Sequence, residues 1–192
     1  MSELDGQRRA EQQVQATTRV SVTDDGAAVL ARVDDLAHVY RAAFCAPGSA
    51  EPASTVERFR EQQLPAHTQR AGFRCALADR RGLLTGFAYG YTGEQGQWWT
   101  DHVAARVPAP VRQEWLGGHF ELVELAVDPT HQRRGLGEDL MTRLLAGLPH
   151  ARALLTTYRD DRPATRLYRR LGWRLIAEHA LEGSDLYGVE LH

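Results

Sequence analysis

The stretch from Glu121 to Leu148 restricts the fold more than any other part of the chain. It reads as a strand, ELVELAV, halted by Asp128-Pro129. A glycine-bearing turn follows, Gln132-Arg133-Arg134-Gly135-Leu136-Gly137, and then a helix. Leu136, Leu140, Met141, Leu144, Leu145 and Leu148 give that helix one apolar stripe, and Gly147 and Pro149 stop it. A strand that runs through a tight turn into an amphipathic helix belongs to a mixed α/β (α+β) domain with helices laid on a sheet. The turn also predicts an anion site. Backbone N–H groups at a helix start are unpaired and point outward, and the helix dipole adds positive potential. Glycines at 135 and 137 let a phosphate approach the backbone without a Cβ in the way. A turn of this kind also serves simply to join strand to helix. Glu138 and Asp139 suit the dipole, but their carboxylates must turn away from any bound anion.

Composition narrows what that anion belongs to. All 23 basic residues are arginine, no lysine or asparagine occurs, and Ile176 is the only isoleucine. This codon bias reads as a GC-rich bacterial genome, actinobacterial in style. A Walker A loop needs a lysine, and a dinucleotide fingerprint needs a third glycine where Leu140 stands, so both are excluded. Arginine richness is partly mutational, so Arg162, Arg166, Arg169 and Arg170 read as a solvated face, with contact to a ligand phosphate as the other reading. The net charge of −2 gives no global field for nucleic acid. No apolar run approaches the ~20 residues of a membrane span. The polar segment Ser2–Gln15 lacks the apolar stretch of a secretory signal, which favours a cytoplasmic setting. Cys45 and Cys75 match no metal spacing and read as reduced structural residues. Neither HExxH nor CxxC occurs, so no metal site is expected.

The remaining chain supplies the other elements. Residues 1–16 read as a flexible arm, and 17–192 as one domain. Thr18–Thr23 predicts a short strand, and Ala27–Phe44 a helix. A Pro/Gly/Ser loop over 46–54 leads to a second helix from Thr55 to Gln63. Phe73–Ala78 and Leu83–Tyr91 predict a hairpin around Asp79–Gly82. Residues 92–118 read as an irregular insertion between the third and fourth strands, docked by Trp98, Trp99 and Trp115. After the central strand and helix come a strand at Ala153–Tyr158, then a helix starting at Asp160–Pro163 and ending at Gly172. Two closing strands lie near Trp173–His179 and Leu186–Leu191. The expected architecture is a mixed sheet of six to seven strands flanked by about four helices.

At this point the sequence resembles a family. Gln132-x-x-Gly135-x-Gly137, after the strand ending Leu125-Ala126-Val127, is similar to the signature of the GNAT superfamily of N-acetyltransferases. Further on, Ala164-Thr165-Arg166-Leu167-Tyr168-Arg169-Arg170-Leu171-Gly172-Trp173 resembles that family's second block, with Trp173 as its aromatic. The resemblance is sharp over 121–173. One departure is Asp161, where the family often carries asparagine.

The resemblance implies acetyl-CoA as co-substrate, held where the central strands splay. The backbone of Leu125, Ala126 and Val127 would receive the pantetheine arm. The N–H groups of Gln132, Arg133, Arg134, Gly135, Leu136, Gly137 and Glu138 would receive the pyrophosphate. The chemistry is attack of an amine on a thioester. Alkyl amines with a pKa of about 10 are mostly protonated at neutral pH, so a base must take a proton. Tyr168 matches the family's leaving-group acid. Glu121 matches the glutamate used as base in histone-type members, and Glu124 is the alternative. Three residues apart, the two glutamates belong on opposite faces of a regular strand. His119 reads as an incidental loop histidine. Trp98, Trp99 and Trp115 would either wall the acceptor cleft, anchor the insertion, or form a contact between two copies in a homodimer. The expected acceptor is a small-molecule primary amine. A protein N-terminus or lysine is the second reading, and a non-catalytic acyl-CoA-binding module the third.

Overall fold

The computed structural model describes residues 18–45, 52, 54–159 and 163–192. The arm at 1–16, most of the loop at 46–54 and the helix start at Asp160–Arg162 lie outside them.

The described elements, in order, build one seven-stranded sheet and seven helices. β1 is Arg19–Thr23, followed by α1 (Gly26–Leu30) and α2 (Val33–Phe44). The expected single helix is therefore broken at Ala31-Arg32. Asp25 caps α1 by accepting from the N–H groups of Ala27 and Ala28. The next helix, α3, starts as Ser54–Arg58, widens through a π-helical turn at Phe59–Gln63, and ends as Leu64–His67. Pro65 explains the wide turn. It has no N–H for the carbonyl one α-turn back, and its ring would strike that carbonyl. The Leu64 N–H instead reaches Phe59 O, five residues back.

β2 (Arg74–Arg80) and β3 (Leu83–Gly93) form the expected hairpin. The insertion is more ordered than its composition suggests: it folds as α4 (Trp98–Ala104) and α5 (Ala109–Trp115). With the broken first helix, this raises the helix number above the expected four. β4 is His119–Val127, so His119 is strand rather than loop. A 3₁₀ turn at Pro129–His131 leads to α6 (Leu136–Leu145). β5 (Arg152–Tyr158), α7 (Pro163–Arg170), β6 (Arg174–Leu181) and β7 (Ser184–Glu190) complete the chain.

The strand order is β1-β2-β3-β4-β5-β7-β6, antiparallel throughout except for the parallel β4–β5 pair. Parallel neighbours need a long crossover, and α6 supplies it. Three apolar clusters cover the sheet. One face carries Cys75, Leu77, Phe87, Tyr89 and Tyr91 against Leu36, Tyr40, Phe59 and Leu64 of α2 and α3. The other carries Ala76, Ala88, Phe120, Leu122 and Leu155 against Leu140, Met141 and Leu144 of α6 and Tyr168 of α7. A third joins Val103, Val107 and Trp115 of the insertion to Leu154, Ala180 and Leu186. At ~1.5–3 kcal/mol per buried large side chain, each cluster is a substantial stabilising block. Cys75 is wholly buried, and burial pushes its thiol up to about 12, so it stays a protonated core residue.

Candidate active site

β4 and β5 pair through Phe120↔Ala153 and Glu121↔Leu154 and then part. On its other side β4 remains paired with β3 as far as Val127. The backbone of Leu125–Val127 therefore presents its β5-facing edge to a gap, at the place an extended ligand would add as a strand.

The strand ends in the glycine turn. Asp128 fixes its start by accepting from Thr130 N and Oγ1, at 2.8 and 2.5 Å. The Gln132 side chain donates back to Val127 O at 3.0 Å and ties the turn to the strand end. Arg133 and Gly135 adopt left-handed backbone, with φ of 61° and 80°. At Gly135 a Cβ would meet nothing within 4 Å, so glycine is required by conformation and the space beside it is open. At Gly137 a Cβ would lie 3.1 Å from Leu167 Cδ2, so that glycine lets α6 approach α7. A cavity of about 210 Å³ at the turn is lined by Arg80, His131, Arg134, Gly135 and Leu136 among others. The acids after the turn are paired: Glu138 with Arg170 at 3.1 Å, and Asp139, which also lines this cavity, with Arg143 at 2.6 Å. This arrangement fits a pyrophosphate on the helix start and an extended arm along β4.

The two glutamates share a face. Tyr91 lies opposite Glu121 and Tyr89 opposite Glu124, two residues apart on β3 but three apart on β4. The surplus residue is a β-bulge, and it cancels the alternation that would have separated the glutamates. The expectation of opposite faces is corrected by it. Both carboxylates therefore stand on the α3 side of the sheet, and the gap between β4 and β5 opens immediately beyond Glu121.

Their settings differ. Glu121 is 3% exposed and accepts from Tyr91 Oη at 3.1 Å, while its Oε2 is buried without a partner. Burial raises its pKa to about 7, against the lowering effects of the Tyr91 hydrogen bond and Arg70. Glu124 is half-buried and accepts from Gln63 Nε2 at 3.1 Å. Gln63 lies in the π turn and also reaches Tyr89 Oη at 3.4 Å, which lies 3.1 Å from His67 Nδ1. Burial, then Arg70, lowers His67 to about 4, so it is neutral at pH 7. One assignment satisfies the chain: Gln63 donates to both oxygens and Tyr89 donates to His67 Nδ1.

Tyr168 lies on the far side of the sheet, buried on α7 beside Trp173. Burial is the main cause of its raised pKa, and the nearby Glu124 adds to it. Tyr168 thus packs on the α6 face of the sheet, opposite the face that carries Glu124.

The three tryptophans separate. Trp98 is 63% exposed and lies tilted against the His102 ring. Trp99 donates from Nε1 to Thr156 Oγ1 of β5 at 3.0 Å and lies near the His119 ring. Trp115 is 4% exposed and packs on Gly188, where a Cβ would approach its ring to 2.5 Å. The structure gives Trp115 an anchoring position. His119 is fully buried and held neutral: burial, His150 and Arg152 lower it to about 4.

Sequence reasoning did not single out Gln63, His67, Arg70, Tyr89 or Tyr91. Pro65 inside a helical run was the signal for the π turn that aims Gln63. The tyrosines at 89 and 91 share a strand face by alternation alone. Among the described residues no group of three or more His, Cys, Asp or Glu is placed to hold a metal. Among them, too, no helix is long and apolar enough to cross a membrane.

Comparison with known proteins agrees with this fold. A curated protein of Mycobacterium tuberculosis, described as a GCN5-like protein acetyltransferase, is 43% identical over 98 residues. That match spans about half of each protein, 47% of this chain and 48% of the relative. An acetyltransferase structure from Thermus thermophilus superposes with a TM-score of 0.63 at 18% identity, over 91% of this chain and 97% of that one. An N-acetyltransferase from Thermoplasma acidophilum, solved in complex with coenzyme A, gives 0.58 at 12% identity, over 90% of this chain and 99% of that one. These last two likenesses establish the fold. The model of the acetyltransferase (GNAT) family matches residues 34–173. The chain belongs to the acetyltransferase (GNAT) family.

Proposed function

We propose that the chain transfers an acetyl group from acetyl-CoA to the primary amine of a small molecule, by direct attack in a ternary complex. The observation that carries this reading is the parting of β4 and β5 directly beyond Glu121, with Glu124 on the α3 face of the sheet and Tyr168 packed on the α6 face. Leu125–Val127 and the N–H groups at Gln132–Glu138 would hold the arm and pyrophosphate. The bound thioester supplies an acyl carbon open to attack.

The chain's own residues then handle protons. Glu124, held by Gln63, receives the acceptor's ammonium group on the α3 face. Glu121, with a pKa of about 7, takes the proton through water at its unpartnered Oε2, since it is too buried to touch the acceptor directly. Tyr168, which its surroundings keep protonated, gives its proton to the departing thiolate. The wall formed by Trp99 and Thr156 closes the cleft from the insertion side and favours a small acceptor.

A protein acceptor is the second reading, favoured by the description of the mycobacterial relative as a protein acetyltransferase. A panel of small amines beside lysine-bearing and free-N-terminal peptides, read by thiol release, decides between them. Turnover with small amines supports the first reading. Turnover confined to peptides replaces it with the second. CoA binding without thiol release for any amine would indicate a binding module.

A further inference from the structure

Among the described residues, seven buried side-chain polar atoms have no hydrogen-bond partner. Three of them are Arg70 Nη1, Arg74 Nε and His150 Nδ1. All three residues line one cavity of about 630 Å³ at the end of the sheet where β4 begins. No residue of the Gln132–Gly137 turn lines it.

The two arginine atoms are donors, and His150 Nδ1 is one in the tautomer whose Nε2 accepts from Thr92. The guanidinium groups donate at every accessible pH. His150 Nε2 lies 2.9 Å from Thr92 Oγ1. With the hydroxyl donating to Nε2, the ring proton is on Nδ1. The other contacts hold the groups in place: Arg74 Nη2 donates to Ala146 O at 2.9 Å, and the Arg70 guanidinium lies 4.4 Å over the Tyr91 ring. Buried donors are rarely left unmatched, and the residues that carry these three bring two guanidinium charges and an imidazole to the wall of one cavity. Asp24 also lines the cavity, but it is exposed and screened by water.

We propose that this cavity is a second ligand site, taking the carboxylate or phosphate group of a small molecule on Arg70, Arg74 and His150. The site is not isolated from the chemistry. Arg70 stacks on Tyr91, and Tyr91 donates to Glu121 at 3.1 Å. An anion there lies two contacts from the buried carboxylate. The anionic group belongs either to a separate effector or to the acceptor itself.

The test titrates the full chain with malonate and with inorganic phosphate, followed by calorimetry, with and without saturating CoA. CoA occupies the glycine turn, so anion binding there is scored separately from the cavity. The expected result is saturable one-to-one binding in CoA-saturated protein. Arg74→Gln should weaken it at least about tenfold while CoA affinity is unchanged, which also shows that the variant is folded. If the acceptor carries the anion, Arg74→Gln raises its KM and spares kcat. If a separate effector does, malonate changes kcat for an amine without an anionic group in the wild type alone. No saturation in CoA-saturated protein, or equal affinity in Arg74→Gln, overturns the proposal. So does a crystal structure in malonate showing only waters in the cavity.

Discussion

Replacing Glu121 by glutamine should make the protein more stable and less active. In the folded state burial raises the Glu121 pKa from 4.5 to about 7. The folded state therefore holds that proton more tightly than the unfolded chain does. Below pH 4.5 both states are protonated and the residue carries no linkage cost. As pH rises from 4.5 to 7 the unfolded chain loses its proton first, and the fold is progressively penalised. Above pH 7 the penalty is complete, at about 3 kcal/mol from 1.36 kcal/mol per pKa unit. Glutamine is neutral at every pH and keeps an oxygen for Tyr91 Oη. The stability difference between Glu121→Gln and wild type should therefore open between pH 4.5 and 7 and level off near 3 kcal/mol. For a chain of this size that is roughly 6–12 °C in Tm. Thermal melts of both proteins from pH 4 to 9 measure it, and subtraction cancels every other titrating group. A variant less stable than wild type at pH 8, or a difference that does not change with pH, refutes the burial argument. The same variant should lose the rise of kcat/KM through pH 7 that a base with this pKa gives wild type.

Other consequences follow from particular contacts. Tyr168→Phe should lower kcat by about 10²-fold or more while leaving CoA affinity within a factor of about two, measured by thiol release and calorimetry. Gln63→Ala removes the donor to Glu124 Oε1 and should act chiefly on acceptor KM, by about tenfold, as initial-rate kinetics would show. Trp115→Ala should cost about 3–5 kcal/mol because the ring is buried against Gly188. Trp98→Ala should stay within about 0.5 kcal/mol because the ring is mostly exposed, and urea melts separate the two.

The parts of this fold legible in the sequence were those written in local chemistry. The hairpin around Asp79–Gly82, the leucine stripe of α6 and the turn at Gln132–Gly137 each carry their own periodicity and turn residues. The insertion was not legible as helical. Its Gly and Pro residues suggested irregular chain, and the packing of Val103, Val107 and Trp115 on β5, β6 and β7 is a tertiary effect. The site was half legible. Tyr168 and the two glutamates stand out as residue types in motif positions. That both glutamates share a face depends on a bulge, which is set by pairing with β3 and leaves no mark in β4 alone. Gln63, Arg70 and the β3 tyrosines come from distant segments, and only the folded chain brings them to the carboxylates.

The most direct test of the account is thermal unfolding of wild type and Gly135→Val with and without acetyl-CoA, with adenosine as control. At ~100 times Kd a ligand adds about 2.7 kcal/mol, roughly 5–11 °C for this chain length. Gly135 needs a φ of 80°, which valine resists, so the variant's turn should no longer present its N–H groups to a phosphate. The predicted result is a shift of that size in wild type with acetyl-CoA, none with adenosine, and a much smaller shift in the variant. No shift in wild type at millimolar acetyl-CoA, or an equal shift in both proteins, would contradict the placement of the cofactor at this turn.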